Sequence, residues 1–219
     1  MPIRTFSQKH KMSRRSRGRP RLEDIAAIEK RLLAVALKEF LQHGYGGTSM
    51  LRIVKAAEIS KTTLYARFPS KENLFRAIMR RQIERLDIST SLFPHGKLPD
   101  LKRGLISYAN RALEMSFEGD LLEVNRLIYS EAQRFPELGA AAAERAQIGI
   151  DQVAAFIRKC AAAGGAPCKN PQYAAEAFMF MLRGWYVNIM LTGRKVSQLQ
   201  REKWVEHTVH ILLSDWSKW

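Results

Sequence analysis

The chain has 219 residues, 46% hydrophobic and 26% charged, the balance of a globular protein able to bury a core. A formal charge of +15 directs attention to polyanionic partners, nucleic acid or an anionic membrane surface. Met1 to Lys11 lacks the apolar stretch of a secretory leader, and Glu176, Arg183 and Asn188 interrupt the longest apolar run, so neither secretion nor a membrane span is expected.

Residues 1–22 read as a flexible basic arm: positions 1 to 21 carry eight bases and no acid, and 13 of the net charges precede residue 86. Within it, Arg17-Gly18-Arg19-Pro20 resembles an AT-hook core, in which Arg17 and Arg19 would reach into a narrow A·T minor groove. An arm held only on phosphates fits the same residues.

From Glu23 the pattern becomes helical. Ile25, Ile28, Leu32, Ala36 and Phe40 recur at steps of three or four, and Gly44 supplies a stop. Thr48 is the expected N-cap of a helix over Met50–Ala57 that buries Ile53 and Val54. Ser60 caps a helix over Lys61–Arg67 with Leu64 and Phe68 inward; Pro69 ends it, and Ser70 caps the next. Two helices joined across Glu58-Ile59 have helix-turn-helix spacing. The remainder reads as helices with breaks at Pro94 to Pro99, Phe135-Pro136, Gly164 to Pro167 and near Gly193. No alternating strand pattern appears, so the fold class is all-α.

The runs Leu32 to Phe40, Gly44 to Met50, Ile59-Ser60-Lys61-Thr62-Thr63-Leu64-Tyr65 and Phe68 to Phe75 resemble the N-terminal domain of tetracycline-repressor (TetR) family regulators. Leu127 to Leu138 resembles the C-terminal domain of AefR-like members. The resemblance implies a three-helix helix-turn-helix DNA-binding domain over 23–85 and a helical-bundle effector and dimerisation domain over 86–219. Two positions depart from the family pattern: Glu58 stands where the turn often has Gly, and Val54 where a small residue is usual.

By similarity, Thr48, Ser49, Tyr65 and Lys71 would hold phosphates. Lys61, Thr62 and Thr63 are better placed for the major-groove floor, with Ser60 and Arg67 completing the polar face. A dimer seam is expected from two apolar stripes, one through Phe178, Met181, Leu182, Trp185 and Ile189, the other through Val205, Thr208, Leu212 and Trp216. Phe117, Tyr129, Phe156, Phe180 and Tyr186 are the candidate lining of an apolar ligand pocket. His207 and His210 lie three apart beside Glu206, but five scattered histidines are commoner as surface residues, so no metal and no cofactor are expected. Cys160 and Cys168 form no disulfide framework, which places the chain in a reducing cytoplasm, and they flank a break where a redox pair is conceivable.

No nucleophile–base–orienter set and no Gly-rich phosphate loop is visible, so an enzyme is not expected. The combined reading is a one-component transcriptional repressor. It binds palindromic double-stranded DNA as a homodimer and is released by a small-molecule effector. The alternative is an architectural protein that binds A·T-rich DNA through its arm without an effector.

Overall fold

A computed structural model of the chain describes residues 22–85, 100–163 and 167–219, and the arm with Arg17 and Arg19 and the Pro94–Pro99 break lie outside them. Nine α-helices follow in order among the described residues: α1 (Leu22–Gly47), α2 (Met50–Ala57), α3 (Lys61–Arg67), α4 (Lys71–Arg85), α5 (Leu101–Ser116), α6 (Leu121–Glu131), α7 (Pro136–Ala162), α8 (Pro171–Thr192) and α9 (Gln198–Ser214). A 3-10 turn, Trp216–Lys218, follows α9.

Local chemistry sets most of these boundaries. Gly44 leaves helical geometry at φ 66°, ψ 174°, a conformation that costs a glycine little, and so kinks the end of α1. Proline opens α7 at Pro136 and α8 at Pro171, where its missing N–H costs nothing. Ser197 and Gln200 form a reciprocal capping box at the start of α9. The sequence reading missed the break between α5 and α6, where Gly119 takes φ 55° beside Asp120.

The helices bury two clusters. In the first, α5, α7, α8 and α9 enclose Leu105, Tyr108, Val153, Ile157, Phe178 and Val205. In the second, α1 to α4 close around Leu32, Phe40, Ile53, Leu64, Phe75 and Met79. That cluster does not end at α4: Val124 and Ile128 of α6 and Phe135 and Leu138 beside α7 complete it. Each such side chain contributes roughly 1.5–3 kcal/mol on burial. Among Phe40, Tyr45, Phe75 and Phe135, the first two rings lie near-parallel and the other contacts are edge-on or tilted, with the Phe75 and Phe135 centroids 4.9 Å apart. The aromatic knot therefore welds the first helices to the α6–α7 turn. On the opposite side Arg126 of α6 donates from Nε and Nη2 to the Met190 carbonyl at 3.0 and 2.7 Å, tying down the end of α8.

Candidate nucleic-acid interface

Three short-range features build the α2–turn–α3 unit. Ser49, not Thr48, is the N-cap of α2, its hydroxyl accepting from the Arg52 N–H at 3.2 Å. Glu58 occupies the turn in the left-handed region, φ 54°, ψ 42°, with its N–H on the Val54 and Lys55 carbonyls. The side chain at this position costs about 1 kcal/mol relative to glycine. Ser60 caps α3 by accepting from the Thr63 N–H at 3.0 Å. Leu64 is wholly buried and sets the angle of α3, while Ser60, Lys61, Thr62 and Tyr65 are exposed and Thr63 is half-buried. The result is a short helix whose outer face presents an ammonium, hydroxyls and a phenol, the donors that phosphates and base edges accept from.

Three other predicted contacts are turned inward. Thr48 is 2% exposed, its hydroxyl 2.8 Å from the Gly44 carbonyl and 3.0 Å from that of Glu39, where it satisfies the frayed end of α1. Lys71 donates from Nζ to the Tyr45 and Thr48 carbonyls at 2.8 and 2.9 Å and lies 4.4 Å from the Tyr45 ring centroid. Arg67 pairs with Glu29 of α1 at 3.0 Å. Within the chain, these three side chains hold the unit together. Arg52, which the sequence reading missed, is exposed at the start of α2, bonded to Glu39 at 3.1 Å and lying 2.6 Å from His43 Nε2.

The AefR-like transcriptional repressor C-terminal domain matches residues 103–217, more than half of the chain, and the profile of bacterial regulatory proteins of the tetR family matches residues 32–78. The chain belongs to the TetR family of transcriptional regulators. The HTH-type transcriptional repressor ComR of Escherichia coli K12 is 47% identical over 73 residues, 33% of this chain and 32% of ComR. This chain thus spans about a third of ComR's length. A protein from Mesorhizobium loti MAFF303099, described as a TetR-family transcriptional regulator, superimposes with TM-score 0.72 at 26% identity over 86% of this chain and 96% of its own. The flavonoid-responsive regulator FrrA matches with TM-score 0.64 at 28% identity over the same shares. This TetR-family chain accordingly has an N-terminal helix-turn-helix and a C-terminal helical domain.

The C-terminal domain redistributes the residues expected at a TetR-family dimer seam. Phe178, Leu182, Ile189, Val205, Thr208, Leu212 and Trp216 are buried inside the protomer, and Met181 and Trp185 pack partly against the same core. The buried members of the set already have partners within the chain, while Met181 and Trp185 keep part of their surface outside. The face of α8 left outside runs through Tyr173, Phe180, Gly184 and Leu191 at steps of seven and four, with Tyr173 63%, Phe180 58% and Leu191 69% exposed. Ile211 of α9 is exposed as well.

The aromatic pocket residues also divide. Tyr129 and Tyr186 line a cavity of about 200 Å³ between α4, α5, α6, α7 and α8. Phe156 instead fills the space above Gly104, Phe117 packs edge-on against Trp185 and Tyr186, and Phe180 faces outward. Polar side chains that the sequence reading had not assigned to the pocket, Asn125, Arg145 and Arg183, join the lining. Their one sequence signal was Arg183, which breaks the apolar run of α8. Asn125 donates to the Tyr186 hydroxyl at 2.8 Å. Burial pushes the Tyr108 phenol up to about 12, against the pull of Arg145. It does the same to Tyr186, up to about 12, against the Asn125 bond. Both phenols therefore stay neutral near pH 7. Burial likewise raises the Cys160 and Cys168 thiols, which disfavours the reactive thiolate a redox pair requires. No helix of the described residues is long and apolar enough to cross a membrane.

Proposed function

We propose that the chain is a cytoplasmic, homodimeric repressor that reads a palindromic operator and is released by a small molecule. The observation that carries this reading is the outer face of α3, where Lys61, Thr62 and Tyr65 stand exposed on a helix anchored by Leu64. Thr63 adds a fourth, half-exposed group. Two such helices related by a two-fold read successive major grooves about 34–36 Å apart. The two-fold itself is assigned to the exposed stripe of α8 with Ile211, since a second copy would cover apolar surface that the protomer leaves in water. The basic arm adds charge for phosphate contacts, and its Arg17-Gly18-Arg19-Pro20 sequence suits an A·T minor groove.

Release follows from the position of α4. Ile83, near its far end, lines the cavity, while Lys71 at its start grips the α1–α2 turn about 18 Å away along the helix. A ligand that prefers the cavity of the DNA-incompetent form moves α4 and withdraws affinity from DNA, and the coupling is reciprocal. ComR is named a repressor and FrrA a flavonoid-responsive regulator, which supports negative, ligand-controlled regulation here. Footprinting the DNA upstream of the coding sequence with the purified chain tests the reading. Protection of a two-fold symmetric site is expected, and uniform protection of A·T-rich DNA would favour the architectural alternative.

A further inference from the structure

The cavity has a consistent chemical bias. Its walls are apolar at Ile83, Leu113, Ile148, Met179 and Leu182. Its charged lining is cationic: Arg145 and Arg183 face it, and no carboxylate side chain lines it among the described residues. Arg183 directs one edge of its guanidinium, Nε and Nη2, at a single neutral oxygen, the Tyr129 hydroxyl, at 3.0 and 2.6 Å. That edge is the fork that matches the two oxygens of a carboxylate, so here it is spent on one phenol oxygen. Exchanging a neutral acceptor for a charged one roughly doubles the strength of such bonds. A cation, by contrast, would meet two positive groups at close range inside apolar walls. The volume is also informative: a dry cavity of about 150 Å³ accepts benzene, so about 200 Å³ suits a body of one or two rings.

We propose that the cavity binds a small aromatic carboxylate, its ring against the apolar walls and its carboxylate on the Nε–Nη2 edge of Arg183 in place of the Tyr129 hydroxyl. Arg145 supplies the second positive group of the field, and Tyr108 and Tyr186, both neutral, line the ring site as polar but uncharged walls. This assignment rests on reading the cavity as the effector site and names the class of molecule that site takes.

The test is calorimetric titration of the full chain with three probes of one shape: 2-naphthoate, 2-naphthamide and 2-naphthylmethylammonium. The carboxylate should bind at least about tenfold more tightly than the amide, and the ammonium more weakly still. In Arg183→Gln the preference for carboxylate over amide should fall to about twofold or less. Arg183→Lys, which keeps the charge without the fork, should lie between and carries the test if the Gln variant does not fold. Equal binding of amide and carboxylate, binding of none of the three, or an undiminished preference in the Arg183 variants would overturn the proposal. Anisotropy of the footprinted DNA separates the two readings. Selective 2-naphthoate binding that leaves DNA affinity unchanged would sink the effector reading and leave the carboxylate site standing. DNA binding without any naphthoate binding would sink the site alone.

Discussion

Arg76 of α4 donates from Nε to Glu137 of α7 at 2.6 Å, joining the helix that leaves the DNA-binding unit to the helix that walls the cavity. Its guanidinium also lies 5.0 Å from the Phe135 ring centroid, so the ion pair sits on the edge of the aromatic knot. The hydrogen bond from Arg76 is the main reason the Glu137 carboxyl is held below its ordinary value. A lowered folded-state value means the pair's contribution is present above the usual glutamate range, about pH 4, and is lost as pH falls through the folded value.

Glu137→Gln should therefore cost a little thermal stability at pH 7, a small amount because the pair is solvent-accessible, and the difference should vanish as pH falls through the folded value. It should flatten the acid limb of the pH–stability curve and alter the ligand-induced change in DNA affinity. Thermal melts between pH 3 and 7 and anisotropy with and without ligand measure the two effects. An unaltered acid limb would assign the low-pH loss to other carboxylates.

Substitutions on the outer face of α3 should separate by role. Lys61→Ala should lower the slope of log affinity against log salt by about one unit, the signature of a lost phosphate contact. Thr62→Ala should instead relax preference at one base step by about 1–3 kcal/mol while leaving the slope alone. Salt-titrated binding to operator variants distinguishes them. Lys71→Met should weaken binding by another route, lowering stability by about 1.5 kcal/mol as it releases the Tyr45 and Thr48 carbonyls. Denaturant melts detect that loss without any DNA present.

The two faces of α8 and α9 should respond oppositely to charge. Phe180→Glu, on the exposed face, should yield a folded monomer with an unchanged far-ultraviolet spectrum. Leu212→Glu puts a carboxylate where the side chain is 1% exposed and should destabilise by about 4 kcal/mol or more. Sedimentation and thermal melts together check both. A dimeric Phe180→Glu chain would move the seam away from α8.

Gly104 and Phe156 fit with no space to spare, since a side chain at Gly104 would overlap the Phe156 ring. Gly104→Ala should destabilise by about 1–3 kcal/mol through overpacking. Adding Phe156→Leu should recover part of that loss, so the double variant is more stable than the sum of the single losses predicts. A double-mutant cycle in denaturant measures the coupling, and strict additivity would mean that the ring moves aside freely.

Much of this was legible in the sequence because it is local. Ser60 and Ser70 cap the helices they precede, Pro136 opens α7, and Gly193 in the left-handed region ends α8; each works through atoms a few residues away. The helix-turn-helix was readable for the same reason, down to the left-handed Glu58 at the turn. Which face of α8 the protomer covers was not, because α8 is apolar on more than one side. Phe178 and Leu182 differ from Phe180 and Leu191 in no property that a periodicity can weigh, and only the packing of α5, α7 and α9 decides which pair is covered. The contacts that Lys71 and Arg67 make within the chain were hidden for a related reason: a charge in sequence has no direction, and Tyr45, Thr48 and Glu29 arrive beside them only through the fold. The cavity is the extreme case. Its lining is drawn from five helices, so the meeting of Arg183 with Tyr129, 54 positions apart, exists only once the helices have packed.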